Sequence, residues 1–120
     1  TLRDAAVGRS GPDAVAALML AYRTFVIERP ERYALVPVQP PEPGTDLADA
    51  ADALVGVVVA ALGGYDLHGD DAIHAARCLR SAVHGFATLE AAGGFGLPVA
   101  IDESYAQLVA MVTGGLDQMR

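Results

Sequence analysis

The sequence predicts an all-α domain, an orthogonal or antiparallel bundle of about five helices. Three observations carry that expectation. Apolar residues recur at the i, i+3, i+4, i+7 spacing of a helix face in several separate stretches. Proline and glycine clusters separate those stretches. Strand-like alternation of apolar and polar residues is absent, as is any internal repeat.

Residues 2–7 read as the end of a helix, closed by Gly8-Arg9-Ser10-Gly11. Pro12 suits a first helical turn, where its missing N–H is no loss, and Asp13 complements the helix dipole. Val15, Leu18, Met19, Tyr22, Phe25 and Val26 then recur at helical spacing. This helix stops near Glu28-Arg29, because the residue before Pro30 is pushed out of the helical region. Residues 30–35 read as one or two helical turns opened by proline. Residues 36–44 hold four of the seven prolines, so they form an extended or looped rigid connector at the surface.

Thr45 is a good N-cap, with Asp46 and Asp49 in the first turn behind it. The following helix places Leu47, Ala51, Leu54, Val55, Val58, Ala61 and Leu62 inward. Val57 and Val59 extend the apolar surface around it, which predicts a central, largely buried helix. Gly63-Gly64 stop it. Asp70 or Asp71 caps the next and longest helix, which runs to about Ala92 and carries Ile73, Ala76, Leu79, Val83, Phe86, Ala87 and Leu89-Glu90. Gly93-Gly94-Phe95-Gly96 ends it, and Pro98 bars resumption. Asp102 caps the last helix, whose stripe is Tyr105, Leu108, Val109, Val112, Leu116 and Met119.

The last two helices are rich in small residues, among them Ala75, Ala76, Ala82, Gly85, Ala91 and Ala92, which permit close helix approach. Apolar surface in excess of what one small domain buries predicts a partner. Two helices from each of two subunits would satisfy it as an intersubunit four-helix bundle. The expected interface residues are Ala82, Gly85, Leu89, Ala92, Tyr105, Leu108, Val112 and Leu116.

Composition narrows the function. The 120 residues suffice for one core, and 52% hydrophobic content with 19% charged residues indicates a globular chain. Mean hydropathy is +0.33. Lys is absent, and the Arg-only, Ala-rich usage looks like the codon bias of a GC-rich bacterial genome. Eight scattered Arg among fifteen acids, for a formal net charge of −7, supply no phosphate-binding patch. That argues against direct binding of nucleic acid or an anionic membrane by this chain. Cys78 alone cannot make an internal disulfide and fits a reducing cytoplasm. Thr1-Leu2-Arg3-Asp4 is not followed by the apolar core of a signal peptide. The longest apolar run, residues 53–64, is short of the ~20 residues that span a bilayer. The expected location is cytoplasmic. The opening on Thr rather than Met, in what reads as a helix tail, predicts a piece of something longer.

The stretch Arg80-Ser81-Ala82-Val83-His84-Gly85-Phe86 stands out. Gly85 inside a helix costs roughly 1 kcal/mol relative to Ala, and an imidazole on a buried face needs a partner. Two such local violations side by side mark close packing or a binding site. His74 and Cys78 share a helix face at i, i+4 near His68 and Asp70, a spacing that suits Zn²⁺. A third ligand is needed, and the nearby acids are better explained as caps, so no metal is expected. Gly93-Gly94-Phe95-Gly96 superficially resembles a phosphate loop. It follows a helix rather than a strand, and a helix C-terminus repels anions. Arg77 and Arg80 read as ion-pair or solvated residues. Ser81 and His84 lie one turn apart without an evident orienting acid or oxyanion donors. The expectation is therefore neither an enzyme nor a cofactor-binding protein.

His84-Gly85, Leu89-Glu90 and the Gly93-Gly94-Phe95-Gly96 stop together resemble the WHG-type C-terminal domain of TetR-like transcriptional regulators. The upstream run from Ala21-Tyr22-Arg23 through Phe25 and Glu28-Arg29-Pro30 to Arg32-Tyr33 is similar to the helix-then-short-helix segment of that family. Tyr105-Ala106-Gln107-Leu108-Val109 fits as well, and the resemblance covers the chain from about Pro12. The chain has no Trp, and Val83 stands before His84 where the family motif is partly named for an aromatic.

The resemblance implies a domain that binds a small effector and forms the homodimer of a regulator, with operator DNA bound by an N-terminal helix-turn-helix absent from this chain. It implies that residues 1–11 end a linker helix from that head and that residues 12–120 are the effector-binding and dimerisation domain. On this reading the effector pocket is lined by Leu18, Met19, Tyr22, Phe25, Tyr33, Val58, Leu62, Leu79, Val83, His84 and Phe86. So apolar a wall, with few polar groups, favours a lipophilic effector. Each residue also has a plainer role: the aromatic and aliphatic ones as core, His84 as a packing histidine. The reading from a different class is a stand-alone helical homodimeric interaction module with no effector.

Overall fold

Helix α1 (Gly11–Glu28) is the hub of the fold and packs against every other helix. Its apolar spacing explains this: Ala14, Val15, Ala17, Leu18, Met19 and Val26 are buried. Around it stand α2 (Pro30–Ala34), α3 (Asp46–Gly63), α4 (Gly69–Ala91) and α5 (Ile101–Gln118). The computed structural model describes residues 11–34 and 39–119. Over those residues the chain is an all-α five-helix bundle. The expected helix tail at residues 2–7, its stop at residues 8–10, and residues 35–38 lie outside the described residues.

Local chemistry sets the helix ends. The Thr45 hydroxyl oxygen accepts from the Ala48 amide at 3.1 Å, so the expected N-cap forms. Gly63 is the last residue of α3, and the Gly64 amide closes back on Ala61 and Leu62. After α4, Gly93 takes the left-handed conformation at φ +71. The Gly94 amide bonds Leu89 O at 2.7 Å and the Gly93 amide bonds Glu90 O at 3.1 Å. That is the Schellman closure, which needs a residue tolerant of positive φ. The glycine run is thus a helix stop.

Two expected caps are corrected. His68 occupies the N-cap position of α4 and Ala100 that of α5, and neither side chain caps. Asp70 and Asp71 sit two and three positions further in, in the first turn, where their charge still favours the dipole. Asp102 likewise sits in the first turn of α5 and serves another partner, described below.

The core joins α1, the end of α3, the buried line of α4 and the stripe of α5. Tyr65 and Leu67, in the α3–α4 turn, are fully buried and belong to it. Ala75, one of the small residues expected to permit close helix approach, is fully buried as well.

The larger correction concerns α3. It is not the central buried helix its composition predicts: only Ala61 and Leu62 are buried, while Leu47, Leu54, Val55 and Val59 are exposed. The last turns of α3 close on the core, and its earlier turns face open space. The proposed interface also changes. Tyr105 and Leu116 are 2% and 3% exposed and belong to the chain's own core. Leu108 and Val112 pack partly against that core. Of the expected set, Leu89 and Ala92 are exposed, and Ala82 and Gly85 are half-buried.

Candidate functional site

The open space beside α3 is a cavity of about 700 Å³. Its walls come from five places. Helix α1 contributes Leu18, Met19 and Tyr22, and α2 contributes Tyr33. The early turns of α3 contribute Ala48, Asp49, Ala51, Asp52, Leu54, Val55 and Val58. Helix α4 contributes Ala76, Leu79, Arg80, Val83 and His84. The proline connector closes it with Gln39, Pro40, Pro41, Pro43 and Gly44. The volume lies within the range of small-molecule pockets.

Eight residues expected in a pocket come together here: Leu18, Met19, Tyr22, Tyr33, Val58, Leu79, Val83 and His84. Three do not line it. Leu62 is fully buried in the core below. Phe86 turns the other way, with its ring centroid 4.8 Å from both Phe95 and Tyr105. Phe25 is exposed on α1. Helical spacing identified the apolar residues but not which part of an apolar face meets core and which meets void.

One part of the wall is polar. The hydroxyls of Tyr22 and Tyr33 lie 2.7 Å apart, and the Tyr33 hydroxyl lies 2.5 Å from His84 Nδ1. The two tyrosine rings meet edge to face at 5.7 Å, a favoured aromatic geometry. His84 is exposed, so it is not the buried imidazole its surroundings in sequence suggest. Burial, and then the bond to Tyr33, push the Tyr22 hydroxyl well above the ordinary tyrosine range. Tyr22 therefore remains a neutral phenol.

Beyond the cavity, α1 is clamped to α4 and α5. Arg23 Nε and Nη2 bond Glu90 Oε1 and Oε2 at 2.9 and 2.8 Å. Nη2 also reaches Asp102 Oδ1 at 2.8 Å. The guanidinium lies 5.2 Å from the Tyr105 ring centroid, a cation–π distance. The buried Tyr105 hydroxyl donates to the carbonyl of Met19, whose side chain lines the cavity. The Glu90 hydrogen bond chiefly holds Arg23 well above its ordinary pKa. This clamp was not foreseen, because 67 residues separate Arg23 from Glu90 and neither type is unusual on a helix.

The other candidates resolve simply. His74 and Cys78 are exposed, and no group of three or more His, Cys, Asp or Glu among the described residues is placed to hold a metal. His68 pairs with Asp66 at 3.1 Å. Ser81 donates to the Arg77 carbonyl at 2.7 Å, an ordinary helix back-bond. No helix among the described residues is long and apolar enough to cross a membrane.

Residues 15–112 match the family model for the tetracyclin repressor-like C-terminal domain. The chain belongs to that family. It is also 30% identical over 114 residues to an HTH-type transcriptional regulator of Mycobacterium tuberculosis, covering 92% of this chain and 51% of that protein. The chain thus spans about half the length of the curated relative it matches. A tetracyclin repressor-like C-terminal domain is a regulatory module and not an enzyme, which accords with a site made of an apolar cavity and a short polar chain.

Proposed function

We propose that this domain senses a small lipophilic effector in the α1–α3–α4 cavity and pairs with a second copy of itself. The whole protein would carry a helix-turn-helix outside residues 12–120, joined through the segment before α1. The observation that carries the reading is the cavity: about 700 Å³, walled mostly by aliphatic side chains, with its uncharged ring groups gathered at Tyr22, Tyr33 and His84 and its charged ones, Asp49, Asp52 and Arg80, on α3 and α4. Filling it removes from water the apolar turns of α3 that the chain alone leaves exposed.

Pairing rests on the outer faces of α4 and α5. Cys78, Ala82, Gly85 and Leu89 recur at i, i+4, i+7 and i+11, one face of a helix. Leu89 is 51% exposed, and on α5 Met111 is 71% exposed. A two-fold interface built on these residues, with Ala92, Leu108 and Val112 at its edges, makes a four-helix contact. Effector and operator would be coupled by differential affinity for two dimer arrangements.

The test combines light scattering with thermal shift. A dimer that is stabilised dose-dependently by long-chain aliphatic probes, with the shift abolished by Ala51→Trp in the cavity wall, supports the reading. A monomer at micromolar concentration, or a dimer indifferent to every probe, overturns it. The indifferent dimer would instead be the effector-free interaction module.

A further inference from the structure

The polar chain in the cavity wall has a direction. Tyr22, Tyr33 and His84 are joined by hydroxyl–hydroxyl and hydroxyl–imidazole contacts of 2.7 and 2.5 Å. Two junctions join the three groups and each holds one proton, so the donor at one junction decides the donor at the next. A phenol is a far stronger acid than a neutral imidazole N–H, and an imidazole nitrogen is a far stronger base than a phenol oxygen. Tyr33 therefore donates to His84 Nδ1. With its only proton committed, the Tyr33 oxygen accepts from Tyr22. The Tyr22 proton is then also committed, and Tyr22 offers the cavity lone pairs alone.

The other end of the chain discriminates little. His84 is exposed, so solvent competes with any ligand for its Nε2–H. Tyr22 is half-buried in the wall, and burial keeps it protonated. A polar group out of water gains most from a partner of the right sense. Most of the lining is apolar, so an ionised ligand head gives up its hydration there at a cost that an uncharged head does not meet.

We infer that the cavity takes an uncharged apolar molecule whose head group is a hydrogen-bond donor, a hydroxyl in the simplest case, and that Tyr22 accepts from it because Tyr33 and His84 hold the Tyr22 proton. Tyr33 and His84 are positioning residues and Tyr22 is the contact. The inference rests on the effector reading above and specifies the ligand class.

The test compares decan-1-ol with decan-2-one, which share a chain length while only the alcohol donates, by calorimetry or competition on the intact chain. The alcohol should bind about three- to tenfold tighter, the worth of one net neutral hydrogen bond. Tyr33→Phe frees the Tyr22 proton to point at the ligand, so the ketone should gain and the ratio should fall towards one. Tyr22→Phe should remove the preference with little effect on the ketone; circular dichroism checks that each variant is folded. Equal binding of the two probes to the parent protein overturns the inference and leaves the effector reading standing. Failure of both probes to bind overturns the two together. A preference that survives Tyr33→Phe overturns the role of the chain.

Discussion

Arg23 and Glu90 face each other as two flat groups, with parallel hydrogen bonds of 2.9 and 2.8 Å joining α1 to the last turn of α4. Both side chains are largely shielded, at 15% and 17% exposure. Such a fork-to-fork pair is stronger and more directional than an exposed ion pair. Because Asp102 and the Tyr105 ring share the same guanidinium, one side chain fixes how three helices meet.

Replacing Arg23 by Met should therefore cost about 1–3 kcal/mol, since Glu90 is left shielded and unpaired. Asp102→Asn should cost at most about 0.5 kcal/mol, because that carboxylate is exposed. Urea unfolding of R23M, E90M and the double variant should give a coupling energy of about 1 kcal/mol or more. Additive single effects would mean that the fork contributes nothing.

Alkaline pH should weaken the fold before other transitions set in. Burial pushes the Tyr105 hydroxyl up to about 12, and Tyr22 is raised further in the same direction. An unfolded tyrosine releases its proton near pH 10. Above about pH 10 the unfolded chain thus loses protons that the folded chain retains, and stability falls as pH rises towards the folded values. Tyr22 and Tyr105 should titrate late in an ultraviolet phenolate titration. Tyr22→Phe should flatten the decline in stability between pH 10 and 12.

Two glycines of one helix region should respond oppositely to alanine. A Cβ at Gly85 meets nothing within 4 Å in the chain. Gly85→Ala should raise the stability of the single chain by about 0.5–1 kcal/mol. If the outer face of α4 is the subunit contact, the same change should weaken self-association, which sedimentation equilibrium reads separately. Gly93, at φ +71, carries the Schellman closure. Gly93→Ala should cost about 1 kcal/mol, checked by thermal unfolding.

Removing the Tyr105 hydroxyl should cost about 1–2 kcal/mol, because the Met19 carbonyl then loses its donor in a buried place. Tyr105→Phe keeps the ring against Phe86 and under Arg23, so the loss measured by denaturant midpoint reports the hydrogen bond alone.

The sequence was most legible where the governing chemistry is local. Thr45, Pro30, Gly63 and Gly93 act on residues within one turn, and the helices begin and end by them. Asp102 misled because an acid near a helix start suits the cap and the first turn alike, and only Arg23, distant in sequence, shows which it occupies. The apolar stripe of α5 was readable as a stripe, but not as facing inward: Tyr105 and Leu116 serve the chain's own core rather than a partner. The cavity was half legible. Leu18, Tyr22 and His84 share helix faces that point one way, whereas Pro40, Pro41 and Pro43 are a connector by composition, and nothing local says that a connector also serves as a wall.

On the effector reading proposed above, that proline wall shapes how the cavity would exchange its contents. Pyrrolidine rings lock φ, so the segment has few backbone states to give up when something settles against it. The early turns of α3 opposite are tied at their start by the Thr45 cap and at their far end by Ala61 and Leu62, while Leu47, Leu54 and Val55 between them stay exposed. One jaw is stiff and the other hinged. Breathing of the site therefore falls to α3, and its early amides should exchange with deuterium soonest in the empty protein and slow most on occupancy.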